Sequence, residues 1–176
     1  MKKSLLWILL LGLLGWTASC GYTTRSLLPS RIKTVHVAPF KNKIISADES
    51  TPGTYIPLLE VKIRNAVVDR FLFDGNLRVA DSDKADLILK GELLSYRREG
   101  LRYTEDRDVQ EYRIAIDVSL KMWDQKRNEP FWEEPSFTGD TTYFVSGPSA
   151  KSETVALEEA LKDLARRIVE RTIENW

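Results

Sequence analysis

The chain has 176 residues, about the size of one domain, and its formal net charge is +0 at pH 7. This balance gives no indication of nucleic-acid binding. A content of 43% hydrophobic and 30% charged residues excludes a disordered chain and a polytopic membrane protein. With one cysteine, Cys20, and one histidine, His36, the sequence also excludes an internal disulfide, a zinc site built from these residue types and a Cys/His nucleophile pair.

Residues 1–19 have the layout of a lipoprotein signal sequence. Two lysines are followed by an apolar run and then by small residues directly before Cys20. The run is shorter than the roughly 20 apolar residues that cross a bilayer. We therefore expect cleavage before Cys20 and acylation of its thiol, and several acyl chains would anchor the protein stably. The alternative is an ordinary signal peptide with an incidental Cys20, because Thr17 stands where lipoprotein signals usually carry an aliphatic residue.

Residues 20–30 lack periodicity, and we interpret them as the acylated start and a linker. A single domain is expected over 31–176. Its first strand is predicted over 31–40, because β-branched residues alternate there and Pro39 cannot donate to a ladder. A polar loop over 42–53 follows.

The next segment predicts a helix over 57–74. Its apolar residues recur at helical spacing: Leu59, Ile63, Ala66, Val67 and Phe71. Gly75 suits a left-handed C-terminal cap, and a short strand over 77–80 comes next.

Three extended segments follow. A strand over 87–98 changes its apolar parity, which predicts a bulge near Gly91 with Leu94 and Tyr96 on the buried face. A charged hairpin region covers 99–109. The strand over 110–123 alternates most clearly, and 131–145 reads as an edge or bulged strand.

The final segment predicts an amphipathic helix with Ser152 as its N-cap. Because the strand over 110–123 has one apolar face only, its sheet is covered on one side. The helix must bury its apolar stripe against that face. The sequence thus predicts an α+β fold, a two-layer sandwich in which two helices pack on one face of a four- or five-stranded mixed, mainly antiparallel sheet.

Little in the chain indicates catalysis. His36 lies on the polar parity of the first predicted strand, and we interpret it as a partly solvated strand residue. The carboxylates of the turn at 81–86 and of Glu133 and Glu134 are interpreted as solvated charge. No Gly-rich phosphate loop is present. We predict no catalytic residue, no metal site and no cofactor, and therefore no enzyme.

Arginines and tyrosines cluster around the predicted hairpin. Guanidinium groups bind phosphates in a bidentate manner, so Arg97, Arg98 and Arg102 are candidate contacts for an anionic glycolipid headgroup. The alternative is an ordinary solvated hairpin, because neighbouring carboxylates such as Glu99 and Glu111 would neutralise the arginines locally.

Aromatic residues concentrate near the predicted sheet edge. They either fill the core or anchor a partner interface. The candidate interface residues are Trp123, Trp132, Phe137 and Tyr143.

The chain resembles the lipopolysaccharide-assembly lipoprotein family (LptE-like). The resemblance is carried by the sequences CGY at 20–22, IKTVHVAPFKN at 32–42 and ADLILKG at 85–91, and by the C-terminal amphipathic helix that ends near Trp176. Family members diverge too much for individual lipopolysaccharide-contact residues to be transferred.

This resemblance implies an outer-membrane lipoprotein that faces the periplasm. Such a protein sits in the lumen of a large LptD-like β-barrel translocon, and there it assists barrel assembly and the insertion of lipopolysaccharide into the outer leaflet. It is not an enzyme. Gly21, in place of an aspartate, is compatible with outer-membrane sorting. The alternative is a structural envelope lipoprotein that scaffolds a secretion pore without binding lipopolysaccharide.

Overall fold

The structure, a computed structural model, describes residues 28–44 and 56–174. The predicted signal sequence, Cys20 and most of the predicted 42–53 loop lie outside the described residues.

The described residues form two helices and a sheet of six strands. In chain order the elements are β1 Thr34–Val37, β2 Lys41–Asn42, α1 Leu59–Asp74, β3 Arg78–Val79, β4 Leu87–Tyr103, β5 Val109–Asp124, β6 Glu129–Phe144 and α2 Glu153–Glu174. The strand order is β3-β1-β4-β5-β6, and β2 pairs with β4 further along. The three short strands run parallel to their neighbours, whereas β4, β5 and β6 are antiparallel.

The predicted α+β class is confirmed. Both helices pack against the sheet and contact each other, so they form one layer over a shared core. The sheet has more strands than the predicted four or five, because β2 is two residues long and too short to leave a periodic pattern.

Helix α1 crosses between two parallel strands, β1 and β3. It buries a stripe at helical spacing, which consists of Leu59, Ile63, Val67 and Phe71. Gly75 ends the helix at a φ of 76°, and its N–H donates to the Phe71 carbonyl at 3.1 Å. This is the predicted left-handed cap.

Helix α2 packs closely on β5 and β6. Ser152 acts as the predicted N-cap, since its Oγ accepts the Val155 N–H at 3.3 Å. The close approach depends on Gly139 of β6, where a Cβ would lie 2.5 Å from the Leu164 Cα. The buried stripe of α2 includes Leu157, Leu161, Leu164, Ile168 and Ile173, and each such side chain contributes roughly 1.5–3 kcal/mol.

The bulge predicted near Gly91 lies three residues further along β4, and of the two residues expected on the buried face only Tyr96 is buried. The β4–β5 register shifts between Leu93 and Ser95, so the bulged residue is Leu94. Leu93 is buried, whereas Leu94 is 36% exposed rather than in the core. Gly91 serves a different purpose: Phe40 packs onto it, and a Cβ there would lie 2.1 Å from the Phe40 Cε1.

The β4–β5 hairpin is longer than predicted. Its ladder continues to Tyr103, and the Thr104 N–H closes the turn by donating to the Asp108 carbonyl at 2.8 Å. No residue of β4 beyond Tyr96 is buried. The distal half of this hairpin is therefore held by its own ladder more than by the core.

Candidate functional site on the β4–β5 hairpin

Arg97 lies on the outer face of the sheet, away from the helices. Its Nη2 pairs with the Asp117 carboxylate at 2.9 Å and its Nη1 with Glu99 at 3.1 Å. Asp117 stands between Ile116 and Val118, whose side chains are buried toward the helices. Because side chains alternate along a strand, Asp117 and its partner Arg97 face outward.

Asp117 joins all three long strands. It accepts hydrogen bonds from the Ser95 hydroxyl at 2.5 Å and the Thr138 hydroxyl at 2.6 Å. Burial raises the pKa of Asp117, but these hydroxyls and the Arg97 guanidinium outweigh burial and hold the pKa below its usual range. The carboxylate is therefore charged at neutral pH and neutralises Arg97.

Arg102 lies on the same outer face, near the turn. Its Nε is 3.6 Å from the Glu111 carboxylate, and its guanidinium stands 5.5 Å from the centre of the Phe144 ring. Both contacts leave the side chain 62% exposed. Arg97 and Arg102 thus share one face, and each already has a carboxylate partner, as the solvated-hairpin alternative supposed.

Arg98 projects to the helix side. It forms an ion pair with Glu153 in the first turn of α2, and Glu153 also accepts the Tyr96 hydroxyl at 3.0 Å. The Arg98 guanidinium lies 4.9 Å from the Tyr112 ring, which stacks on Tyr143. The pKa of Tyr96 is raised by its burial and by Glu153. Arg98 therefore links the hairpin to α2 and is separated from Arg97 and Arg102.

The four candidate interface aromatics do not form one surface. Trp132 and Tyr143 lie in the core, with 6% and 4% of their surface exposed. Phe137 packs against the core beside the Arg167 guanidinium, 5.6 Å from its ring centre. Trp123 faces outward between Lys90 and Lys121, whose ammonium groups lie 5.8 and 5.2 Å from its ring.

Among residues 28–44 and 56–174, nothing pairs with one edge of β4 in its distal half. The Lys43 N–H donates to the Leu93 carbonyl at 2.8 Å, and no described strand continues this pairing beyond Leu93. We call the free side of β4 from Leu94 to Tyr103 the open edge. Sequence periodicity did not reveal it, because pairing partners leave no mark on the side-chain pattern.

The register identifies which backbone groups face the open edge. Backbone N–H and C=O groups of alternate residues point to opposite sides of a strand. The Leu93 carbonyl faces β2, and the bulge at Leu94 restarts the alternation with Ser95 opposite Asp117. The backbones of residues 95, 97 and 99 then face β5, and those of Tyr96, Arg98 and Gly100 face the open edge.

The opposite edge of the sheet, along β6, is covered by side chains of α2. We call it the capped edge. The Arg167 Nη1 donates to the Thr138 carbonyl at 2.7 Å, and the Asp163 carboxylate accepts the Asp140 N–H at 3.2 Å. Pro130 and Pro135 also lie in β6 and have no N–H to donate.

A comparison with known protein families shows which family the chain belongs to. The family model described as LptE, lipopolysaccharide-assembly, matches residues 32–172. The chain belongs to the LptE family. The resemblance seen in the sequence is thereby confirmed. No curated protein matches the sequence significantly.

The LptE-family fold of this chain is similar to several solved structures. One is a hypothetical protein of Chlamydia trachomatis, 15% identical, covering 80% of this chain and 95% of that chain with a TM-score of 0.53. A PelC dodecamer from Paraburkholderia phytofirmans is 16% identical and covers 85% and 95%, with a TM-score of 0.51. A minor lipoprotein from Acinetobacter baumannii is 14% identical and covers 81% and 94%, with a TM-score of 0.51. These identities show a shared fold alone.

LptE proteins are a non-enzymatic family of lipopolysaccharide-assembly lipoproteins. In this member the His36 Nδ1 donates to the Ala80 carbonyl at 3.0 Å, a contact between β1 and the end of β3. Within residues 28–44 and 56–174, no group of three or more acidic, histidine or cysteine side chains is placed to hold a metal ion. None of the described helices is both long and apolar enough to span a bilayer.

A groove of about 1040 Å³ lies between α1 and α2 in this LptE-family member. Its lining mixes both signs of charge, with Lys62 and Asp69 from α1 and Glu158 and Lys162 from α2. Phe73, at one end of the groove, is 81% exposed. The lining has four basic and three acidic side chains, a mixture that favours no ligand class, so the hairpin remains the candidate site.

Proposed function

We propose that this protein is an outer-membrane lipoprotein, acylated at Cys20 and facing the periplasm, that sits in the lumen of an LptD-like β-barrel translocon. There it acts as a plug and assists the transport and insertion of lipopolysaccharide into the outer leaflet. The observation that carries this proposal is the LptE-family match over residues 32–172, which spans nearly all of the described domain.

The position of the tether supports this role. The chain enters the domain near Arg31, whose guanidinium pairs with Asp124 at the end of β5. Strand β4 starts near this end and runs away from it for 17 residues, or roughly 55 Å. An anchor at Cys20 would therefore hold one end of the domain at the membrane, and the hairpin turn would extend away from it.

Within this proposal, Arg97 and Arg102 contact lipopolysaccharide phosphates. Both lie on the outer face, and their side chains are 49% and 62% exposed. The carboxylate partners Asp117 and Glu111 are only 14% exposed, so a phosphate would bind the N–H groups on the solvent side of each guanidinium. Arg98 supports the contact by holding the hairpin to α2 through Glu153. Trp123, which is half-buried on the outer face, is the aromatic proposed for the barrel interface.

Isolation of the complex tests the proposed function. The full-length protein with a C-terminal tag is captured from solubilised outer membranes, and its Cys20 is examined by mass spectrometry. We expect one large barrel protein to co-purify and Cys20 to carry acyl chains. A ring-forming lipoprotein or an inner-membrane partner in place of the barrel would support the pore-scaffold alternative and overturn the proposal.

Charge reversal tests the lipopolysaccharide contact. We expect the double variant Arg97→Glu, Arg102→Glu to bind purified lipopolysaccharide about tenfold more weakly, since two phosphate partners become repulsive. The matched control is Arg78→Glu with Arg127→Glu, an equal charge change at exposed residues near the tether end. Equal binding by both variants and the wild type would contradict the contact.

A further inference from the structure

We infer that the open edge of β4 accepts an extended, acidic segment of the barrel partner as an added strand. The identity of the partner rests on the proposed function. The mode of binding rests on the described backbone, because a row of free N–H and C=O groups is a template for strand addition.

The backbone groups of the open edge are accessible. Those of Tyr96, Arg98 and Gly100 face away from β5, and no described strand pairs with them. The Gly100 carbonyl accepts the Tyr103 hydroxyl at 3.3 Å, and this flexible side chain can release it. The edge is regular between its bulges, from Ser95 to Gly100, which is about 20 Å at roughly 3.3 Å per residue.

The two edges of the sheet differ in how far their backbone groups are covered. This difference favours a binding role for the open edge. Proteins usually block a free edge with proline, a short strand or covering side chains. The capped edge has prolines and the side chains of Asp163 and Arg167. The open edge has no proline in β4. Its protective features are three arginines and the bulges at its two ends, and the ladder between those bulges is regular from Ser95 to Gly100. A long edge left open beside a protected one is typical of a strand that receives a partner.

The side chains of the open edge indicate the chemistry of the segment. Residues 94–103 contain three arginines and one glutamate. Each arginine already has a carboxylate partner within the protein, but the side chains of Arg97 and Arg102 remain 49% and 62% exposed and a guanidinium has five N–H donors. Because opposite charges stabilise a cross-strand pair, the added strand is acidic. Leu101 and Tyr103 are 48% and 55% exposed, so the segment also carries an apolar side chain near the hairpin turn.

The source of the segment within the barrel follows from hydrogen bonding. Strands of a closed barrel wall have both edges paired and cannot offer a free edge. The segment is therefore a loop or a luminal extension of the barrel protein.

A proline at Gly100 tests the inference, with alanine as the matched control. Gly100 is not among the glycines with positive φ, so its backbone does not require glycine. A Cβ there would approach the movable Tyr103 hydroxyl at 2.6 Å in both variants. Only proline removes the N–H that faces the open edge. We expect Gly100→Pro to retain at least tenfold less barrel protein than Gly100→Ala, which should match the wild type.

Amide hydrogen exchange of the acylated protein, free and in its isolated complex with the barrel, gives a second readout. We expect the Tyr96, Arg98 and Gly100 amides to exchange at least tenfold more slowly in the complex, while those of β6 do not change. Unchanged exchange, or equal barrel capture by the proline and alanine variants, would overturn the inference and leave the proposed function intact. Protection by lipopolysaccharide without the barrel would also overturn it. Capture of no barrel by the wild type would overturn both.

Discussion

The two long edges of this sheet differ in how their backbone groups are satisfied. Along β6, side chains of α2 reach over the edge, and Arg167 and Asp163 bond the backbone of Thr138 and Asp140. Along β4, the pairing with β2 ends at Leu93, and no described strand follows. The sheet is thus closed at the capped edge and extendable at the open edge.

This difference follows from where α2 lies. Gly139 lets the helix approach β6 closely, and the helix begins at Glu153, beside Arg98. The distal hairpin therefore extends past the helix layer, and no β4 residue beyond Tyr96 is buried. One helix position accounts for both a protected edge and an exposed hairpin.

The largest expected effect comes from closing the space at Gly139. In Gly139→Ala the new Cβ would meet the Leu164 backbone, with its Cα at 2.5 Å and its N at 2.7 Å. Backbone cannot move aside as a side chain can, so we expect the free energy of unfolding to fall by about 2–3 kcal/mol. Urea denaturation measures it. Gly100→Ala is the control, because the three atoms nearest to its new Cβ belong to side chains. If Gly100→Ala lowered the free energy of unfolding as much as Gly139→Ala, the role of the Leu164 backbone would be contradicted.

The next effect concerns the start of β4, at the end away from the open edge. The Asp86 carboxylate accepts the N–H groups of Lys33 and Thr34 at 2.9 and 3.1 Å and so holds β1 beside β4. Asp86→Asn should lower the free energy of unfolding at pH 7 by about 1.5–3 kcal/mol, because hydrogen bonds to a charged acceptor are lost. Asp83→Asn, an exposed change in the same turn, should shift it by less than about 0.5 kcal/mol.

The loss at Asp86 should depend on pH. Burial raises the pKa of Asp86, but Lys126, Lys33 and Thr34 outweigh burial and hold the pKa well below its usual range. A carboxylate with a lowered pKa in the folded state contributes stability that is complete above its unfolded pKa of about 3.9 and is lost as the pH falls below that value. The difference between wild type and Asp86→Asn should therefore shrink on acidification below about pH 4. A constant difference between pH 7 and pH 2 would contradict this role.

A smaller effect on stability is expected from uncapping β6. The double variant Asp163→Ala, Arg167→Ala removes exposed pairs worth about 1 kcal/mol or less. It also frees the backbone of Thr138 and Asp140, so we expect concentration-dependent self-association in sedimentation velocity. Glu158→Ala with Lys162→Ala is the control, because these exposed side chains of α2 line the groove toward α1. Equal association of both variants would show that α2 does not cap the edge.

The sequence predicted the fold well where one periodicity dominates. The alternation in β5 and the stripe of α2 were read correctly, since each element has one buried face. The bulge was misplaced because glycine is typical of bulges, whereas Gly91 makes room for Phe40, a contact between residues distant in sequence. Pairwise packing of this kind cannot be inferred from local pattern.

The candidate site was predicted less completely. Arg97 and Arg98 were grouped because they are adjacent in sequence, but adjacent residues of a strand face opposite sides. The open edge was missed, because it depends on where β2 stops pairing with β4.

Amide exchange of the free mature protein, measured residue by residue by NMR, tests the central claim that half of β4 has an unpaired edge. We predict alternation along the strand: the amides of Ser95, Arg97 and Glu99, which face β5, should exchange at least tenfold more slowly than those of Tyr96, Arg98 and Gly100. Uniform protection from residue 95 to 100 would show that the edge is already paired and would contradict the account.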